Sequence, residues 1–157
     1  MSETTGKASS YTKRESVRLL CKSILNRLEN DGSIAFPPRL RQVIQDEMFD
    51  LVGPYIWTDE DLREKTIQKM GARPEMLQNS EFSDSDQFRA AKAVVKSSFG
   101  DDELNGFYFQ KPVKTVAESL VGYLMRSSKI EEVFEEDANL EKHIVDVIKR
   151  FDVKQLH

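Results

Sequence analysis

The sequence is short of several things, and each shortage excludes something. Cys21 is the single cysteine, so no intramolecular disulfide can form and the fold must rest on packing. Five prolines and seven glycines are too few for the many tight turns of an all-β sandwich. No run approaches the ~20 apolar residues of a membrane-spanning helix, and the N-terminal Met-Ser-Glu-Thr-Thr-Gly-Lys lacks the apolar core of a secretory signal. The simplest reading is a reduced, soluble, cytoplasmic protein. Histidine is scarce as well: His143 and the terminal His157 are the only two, and Glu141-Lys142-His143 lacks the spacing of a helical zinc or di-iron site. No Gly-rich phosphate loop and no Gly-x-Ser-x-Gly elbow is present. The chain therefore carries no recognisable catalytic motif, and neither a metal nor another cofactor is expected.

What is present is charge and helical periodicity. Of 157 residues, 32% are charged and 39% hydrophobic, which suits helices with solvated outer faces. The net charge of −4 is unevenly spread. Residues 1–30 hold six cations against three acids, a net of +3, which leaves −7 for the remainder. An asymmetry of this kind marks a surface for an oppositely charged partner, or simply two solvated faces.

Apolar residues recur at spacings of three and four in six segments, predicting about six helices. The first runs from about Tyr11 to Asn30, with Val17, Leu20, Cys21, Ile24, Leu25 and Leu28 on one face, and Gly32 closes it. Pro37-Pro38 opens the second, with Leu40, Val43, Ile44, Met48, Leu51 and Val52, and Gly53-Pro54 stops it. Thr58-Asp59-Glu60-Asp61 and Ser83-Asp84-Ser85-Asp86 have the residue types of helix N-termini. The fourth helix carries Phe88, Ala91, Val94, Val95 and Phe99. Phe107-Tyr108-Phe109 reads as a short strand, a fifth helix follows Pro112, and a sixth begins near Asp137. The expected organisation is a disordered tail over 1–10, one helical domain over 11–151 and a short tail over 152–157.

An internal echo adds to this. Leu20, Ile24, Leu28 and Ile34 align with Val116, Leu120, Leu124 and Ile130, each pair 96 apart. Past the connector, Leu40, Ile44, Met48 and Leu51 align with Leu140, Ile144, Ile148 and Phe151, each pair 100 apart. Two readings are open: a true repeat of helix–connector–helix units, or the coincidence that any two amphipathic helix pairs produce. The first predicts an all-α, single-domain bundle of two pseudo-repeated units, with a minimal two-stranded pairing of connectors.

The second connector, Lys129-Ile130-Glu131-Glu132-Val133-Phe134-Glu135-Glu136-Asp137, is the most acidic stretch of the chain. Its carboxylates favour the positive end of the following helix, collect a metal ion, or form a recognition surface for a basic partner. In the first two readings Val133 and Phe134 are buried anchors; in the third, one of them is an exposed contact. Together with Leu140 and the helix over 113–128, the run from Ile130 to Asp137 resembles the bacterial domain-of-unknown-function (DUF) family 507. Gly32-Ser33-Ile34 is similar to the Gly-Ile-type connector between that family's N-terminal helices, while residues 54–112 match nothing in it. The resemblance implies a helical fold and a bacterial origin, and no activity.

The remaining candidates are weaker. Arg14, Arg18 and Lys22, with Arg27 nearby, form a basic stripe fit to contact a few phosphates. Asp101-Asp102-Glu103-Leu104-Asn105-Gly106 has the look of a calcium loop, but Pro112 stands where the closing acid belongs, so an Asn-Gly turn is expected. Cys21, on an apolar face, reads as a buried structural thiol. The leading expectation is a non-enzymatic protein–protein interaction or adaptor module, self-associating or bound to another chain. Its interaction residues are Glu131, Glu132, Val133, Phe134, Glu135 and Glu136. The alternative is an RNA- or DNA-associated factor using Arg14, Arg18, Lys22 and Arg27.

Overall fold

A computed structural model describes residues 13–72, 75–76 and 79–153. The expected tail over 1–10 and most of the expected C-terminal tail lie outside the described residues. The protein is mainly helical. Helices α1 (Lys13–Asn30) and α2 (Arg41–Val52) are joined by a connector holding strand β1 (Ile34–Ala35). Helices α6 (Val113–Arg126) and α7 (Asp137–Arg150) are joined by one holding β5 (Glu132–Val133). Between the two pairs lie β2 (Ile56–Trp57), α3 (Asp59–Lys69), the single-turn α4 (Ser80–Ser83), α5 (Asp86–Ser97), β3 (Glu103–Leu104) and β4 (Phe107–Phe109).

The two helix pairs form a four-membered bundle in which α1 packs on α2 and α7, and α6 packs on α7 and α2. Its core is the face read from periodicity: Leu20, Ile24, Leu28, Ile44 and Met48 from the first pair meet Val116, Leu120, Leu124, Ile144 and Ile148 from the second. The connectors pair with each other, antiparallel, with Ile34 opposite Val133 and Ala35 opposite Glu132. Backbone bonds from Glu131 N–H to Ala35 O and from Phe134 N–H to Ser33 O, both 2.8 Å, extend the ladder at each end. Exchanging the two strands carries Ile34 onto Glu132, an offset of 98 (132 − 34), midway between the helical offsets of 96 and 100. The isoleucine register is thus not the pairing register, because Ile130 is buried in the turn that follows α6, ahead of the strand. Two apolar residues of α2 also depart from expectation. Val43 and Leu51 are exposed, since the buried stripe follows Ile44, Met48 and Val52.

The middle segment contains a sheet that helical periodicity does not announce. Strands β2, β4 and β3 form a three-stranded antiparallel sheet with β4 in the centre. All three residues of β4 are buried, and their alternation explains why. Phe107 and Phe109 belong to the bundle core, and Tyr108 joins a second cluster with Leu62 and Val95, against which Trp57 and Phe99 pack. Asn105 and Gly106 form the two-residue hairpin loop between β3 and β4, with φ of 51° and 96°. Positive φ at both positions is what such a tight hairpin needs, and Asn-Gly supplies it at least cost. The expected Asn-Gly turn is thus present, and it is docked: Asn105 Nδ2 donates to Lys149 O at the end of α7 (2.8 Å).

Helix starts follow the expected side-chain chemistry. Asp61 accepts from the Thr58 backbone N–H (2.9 Å) at the head of α3, and Ser85 accepts from Phe88 N–H (3.1 Å) at the head of α5. No helix among the described residues is long and apolar enough to cross a membrane.

Candidate functional site

Strand pairing divides the acidic connector into an inner and an outer set. Val133 leans on the bundle core, and by alternation Phe134 points away and is 57% exposed. Glu131, Glu132 and Glu136 of the same connector are exposed as well. Glu135 turns inward, where its Oε2 accepts from the hydroxyl of the fully buried Ser33 (2.7 Å). Of the six residues singled out in this stretch, four are therefore exposed, three carboxylates and the aromatic ring. The other two hold the connector to the fold.

Glu135 also opens a polar cluster that the linear sequence conceals. His143 Nε2 lies 3.0 Å from Glu135 Oε2, and His143 Nδ1 lies 3.4 Å from Asp31 Oδ2. Asp31 in turn accepts from Arg27 Nε (2.6 Å), and Arg27 NH1 reaches Asp146 (3.0 Å). The cluster ties the C-terminal end of α1 to the second connector and to α7. The hydrogen bonds Arg27 donates to Asp31 and then to Asp146 raise its pKa above the ordinary value. No residue spacing signals this cluster, because Asp31 and His143, 112 positions apart, meet where the end of α1 packs on α7.

A second tie occupies the corresponding place in the other pair. Tyr123, which aligns with Arg27 at the offset of 96, donates from its hydroxyl to Glu47 on α2. Lys129 Nζ lies 2.9 Å from the same carboxylate. These two bonds, the tyrosine's first, hold the Glu47 pKa below its ordinary value. Burial, and then the Glu47 contact, push the Tyr123 phenol up to about 12. Each first helix thus clasps the second helix of the other pair.

The basic stripe is largely consumed within the fold. Arg18 pairs with Asp46 and stacks over the Phe49 ring, 4.4 Å from its centroid. Arg27 is held by Asp31 and Asp146, and Lys22 alone of the three is exposed. Arg14 lies on α1, and its side chain is outside the described residues. Cys21 is fully buried, and burial raises its thiol pKa to about 12. That leaves it far from the thiolate state a nucleophile needs. Among the described residues, no three His, Cys, Asp or Glu side chains converge as a metal-holding group. No family model, curated protein or solved structure matches the chain.

Proposed function

We propose that this chain is a non-enzymatic protein-binding module of the bacterial cytoplasm, and that Phe134 is the centre of its contact surface. The observation that carries the reading is a 57% exposed aromatic ring on backbone pinned by a ladder bond to Ser33 O, in a connector whose Glu131, Glu132 and Glu136 are also exposed. Exposed aromatic anchors on rigid backbone suit recognition, because little ordering cost remains when a partner docks. The exposed acids call for a partner segment that places lysine or arginine beside an apolar pocket, and they steer its approach. The resemblance of residues 113–151 to the domain-of-unknown-function family 507 enters as a proposed relationship and supplies no activity.

The test is photo-cross-linking from a benzophenone amino acid placed at position 134, in lysate of the native host. A discrete protein adduct that disappears when Glu131, Glu132 and Glu136 are reversed to lysine supports the proposal. Recovery of nucleic acid alone, or of adducts indifferent to those reversals, contradicts it.

A further inference from the structure

A second surface, remote in sequence from the acidic connector, has the composition of a small-molecule site. An open cleft of ≈ 300 Å³ lies in the middle segment, lined by Trp57, Phe99, Lys65, Lys69, Asp102 and Gln110 among others. One wall is aromatic: the Trp57 and Phe99 rings meet edge-on at 5.7 Å, and Phe99 is backed by Tyr108 at 5.4 Å. Another wall is cationic. Lys65 and Lys69 are one turn apart on α3, so both ammonium groups project from one face.

The neighbouring lysines are neutralised, Lys92 by Asp59 at 2.7 Å and Lys96 by Glu103 at 3.6 Å. Lys65 and Lys69 pair with no carboxylate among the described residues. Two adjacent like charges repel, and an anion lodged between them removes that repulsion.

We propose that this cleft binds a small aromatic anion, a single ring bearing a phosphate or carboxylate, with the ring against Trp57 and Phe99 and the anion between Lys65 and Lys69. The volume is at the small end of ligand pockets, which suits one ring rather than a dinucleotide. Asp102 and Gln110 offer acceptors to a hydroxyl or amine on the ring, and Asp102 turns away a second anionic group.

Trp57 is the only tryptophan, so its fluorescence reports the cleft directly. The experiment titrates the full chain with phenyl phosphate, with inorganic phosphate and phenol as partial ligands. The expected result is saturable quenching with Kd below ~1 mM for phenyl phosphate and at least ~10-fold weaker binding of either partial ligand. The Lys65→Gln, Lys69→Gln double variant should weaken binding at least ~10-fold, and Lys142→Gln, Lys149→Gln, the same charge change elsewhere, should leave it unaltered. Quenching without saturation, inorganic phosphate binding as tightly as phenyl phosphate, or an unchanged Kd in the Lys65, Lys69 variant would each overturn the proposal.

Discussion

Ile34 and Val133 stand opposite one another across an antiparallel bridge that joins the two connectors. That pairing determines what the acidic stretch presents. With Val133 turned to the core, Phe134 must face outward, and Glu135 comes round again to meet the Ser33 hydroxyl. A slip of one residue would exchange the buried and exposed sets.

The Ser33–Glu135 bond should be measurable as stability. Ser33→Ala removes a buried donor while leaving Glu135 its contact with His143 and access to water. The expected loss is about 1 kcal/mol in urea denaturation. An unchanged midpoint would mean that the bond contributes nothing in solution.

Burial of Cys21 predicts alkaline sensitivity. Its thiol is raised from 9.0 to about 12 in the folded protein, first by burial, against a smaller lowering by Arg18. The unfolded chain therefore ionises first. The stabilising contribution is fully present below pH 9 and is lost as pH rises through the folded value, at up to ~1.4 kcal/mol per pH unit. Tyr108 and Tyr123, each raised from 10.0 to about 12, steepen the fall above pH 10. Stability measured against pH should decline more gently between pH 9 and 12 in Cys21→Ala, although that variant starts lower because of the cavity it leaves. In the native protein near neutral pH, a thiol reagent should modify Cys21 only at the rate of unfolding.

Two glycines offer a graded test of the turns. Gly32 has φ +72° with open space around its missing side chain, whereas at Gly106, φ +96°, a Cβ would approach Val153 Cβ to 3.0 Å. Alanine at Gly32 should cost ~1 kcal/mol for the left-handed backbone alone. Alanine at Gly106 should cost more, because the hairpin must also move off Val153, in the segment just past α7. Equal losses in thermal denaturation would contradict the docking of that hairpin.

Charge reversal separates structural from solvated cations on α1. Arg18→Glu breaks the pair with Asp46 and the stacking over Phe49, and should cost ~1 kcal/mol or more, mostly through packing and new repulsion at a half-exposed site. Lys22→Glu should stay within ~0.5 kcal/mol of the parent. If Lys22→Glu proved the more damaging, the account of the stripe as largely internal would be wrong.

The helical bundle was legible because its signals are local. Spacings of three and four exposed the buried faces of α1, α6 and α7, while Gly32, Gly53 and Pro112 marked the end of α1, the end of α2 and the start of α6. Even the pairing of connectors followed from the internal echo, though not its register, which depends on where the chain leaves α6. The three-stranded sheet was only partly visible. Phe107-Tyr108-Phe109 suggested a strand, but β2 and β3 have two residues each, too few to display an alternation. The site was half legible: the acidic stretch stood out, while which of Val133 and Phe134 faces solvent depended on the ladder. The cluster around His143 and the cleft beside Trp57 combine residues far apart in the chain, so no motif could have announced either.

The central claim is that Phe134 serves a partner rather than the fold, and Phe134→Ala tests it most directly. The account predicts a melting temperature close to that of the parent, since the ring is more than half exposed, together with loss of the captured protein partner. For an anchor of ~2 kcal/mol, affinity should fall ~30-fold. A variant that binds that partner undiminished, or that unfolds for want of the ring, would contradict it.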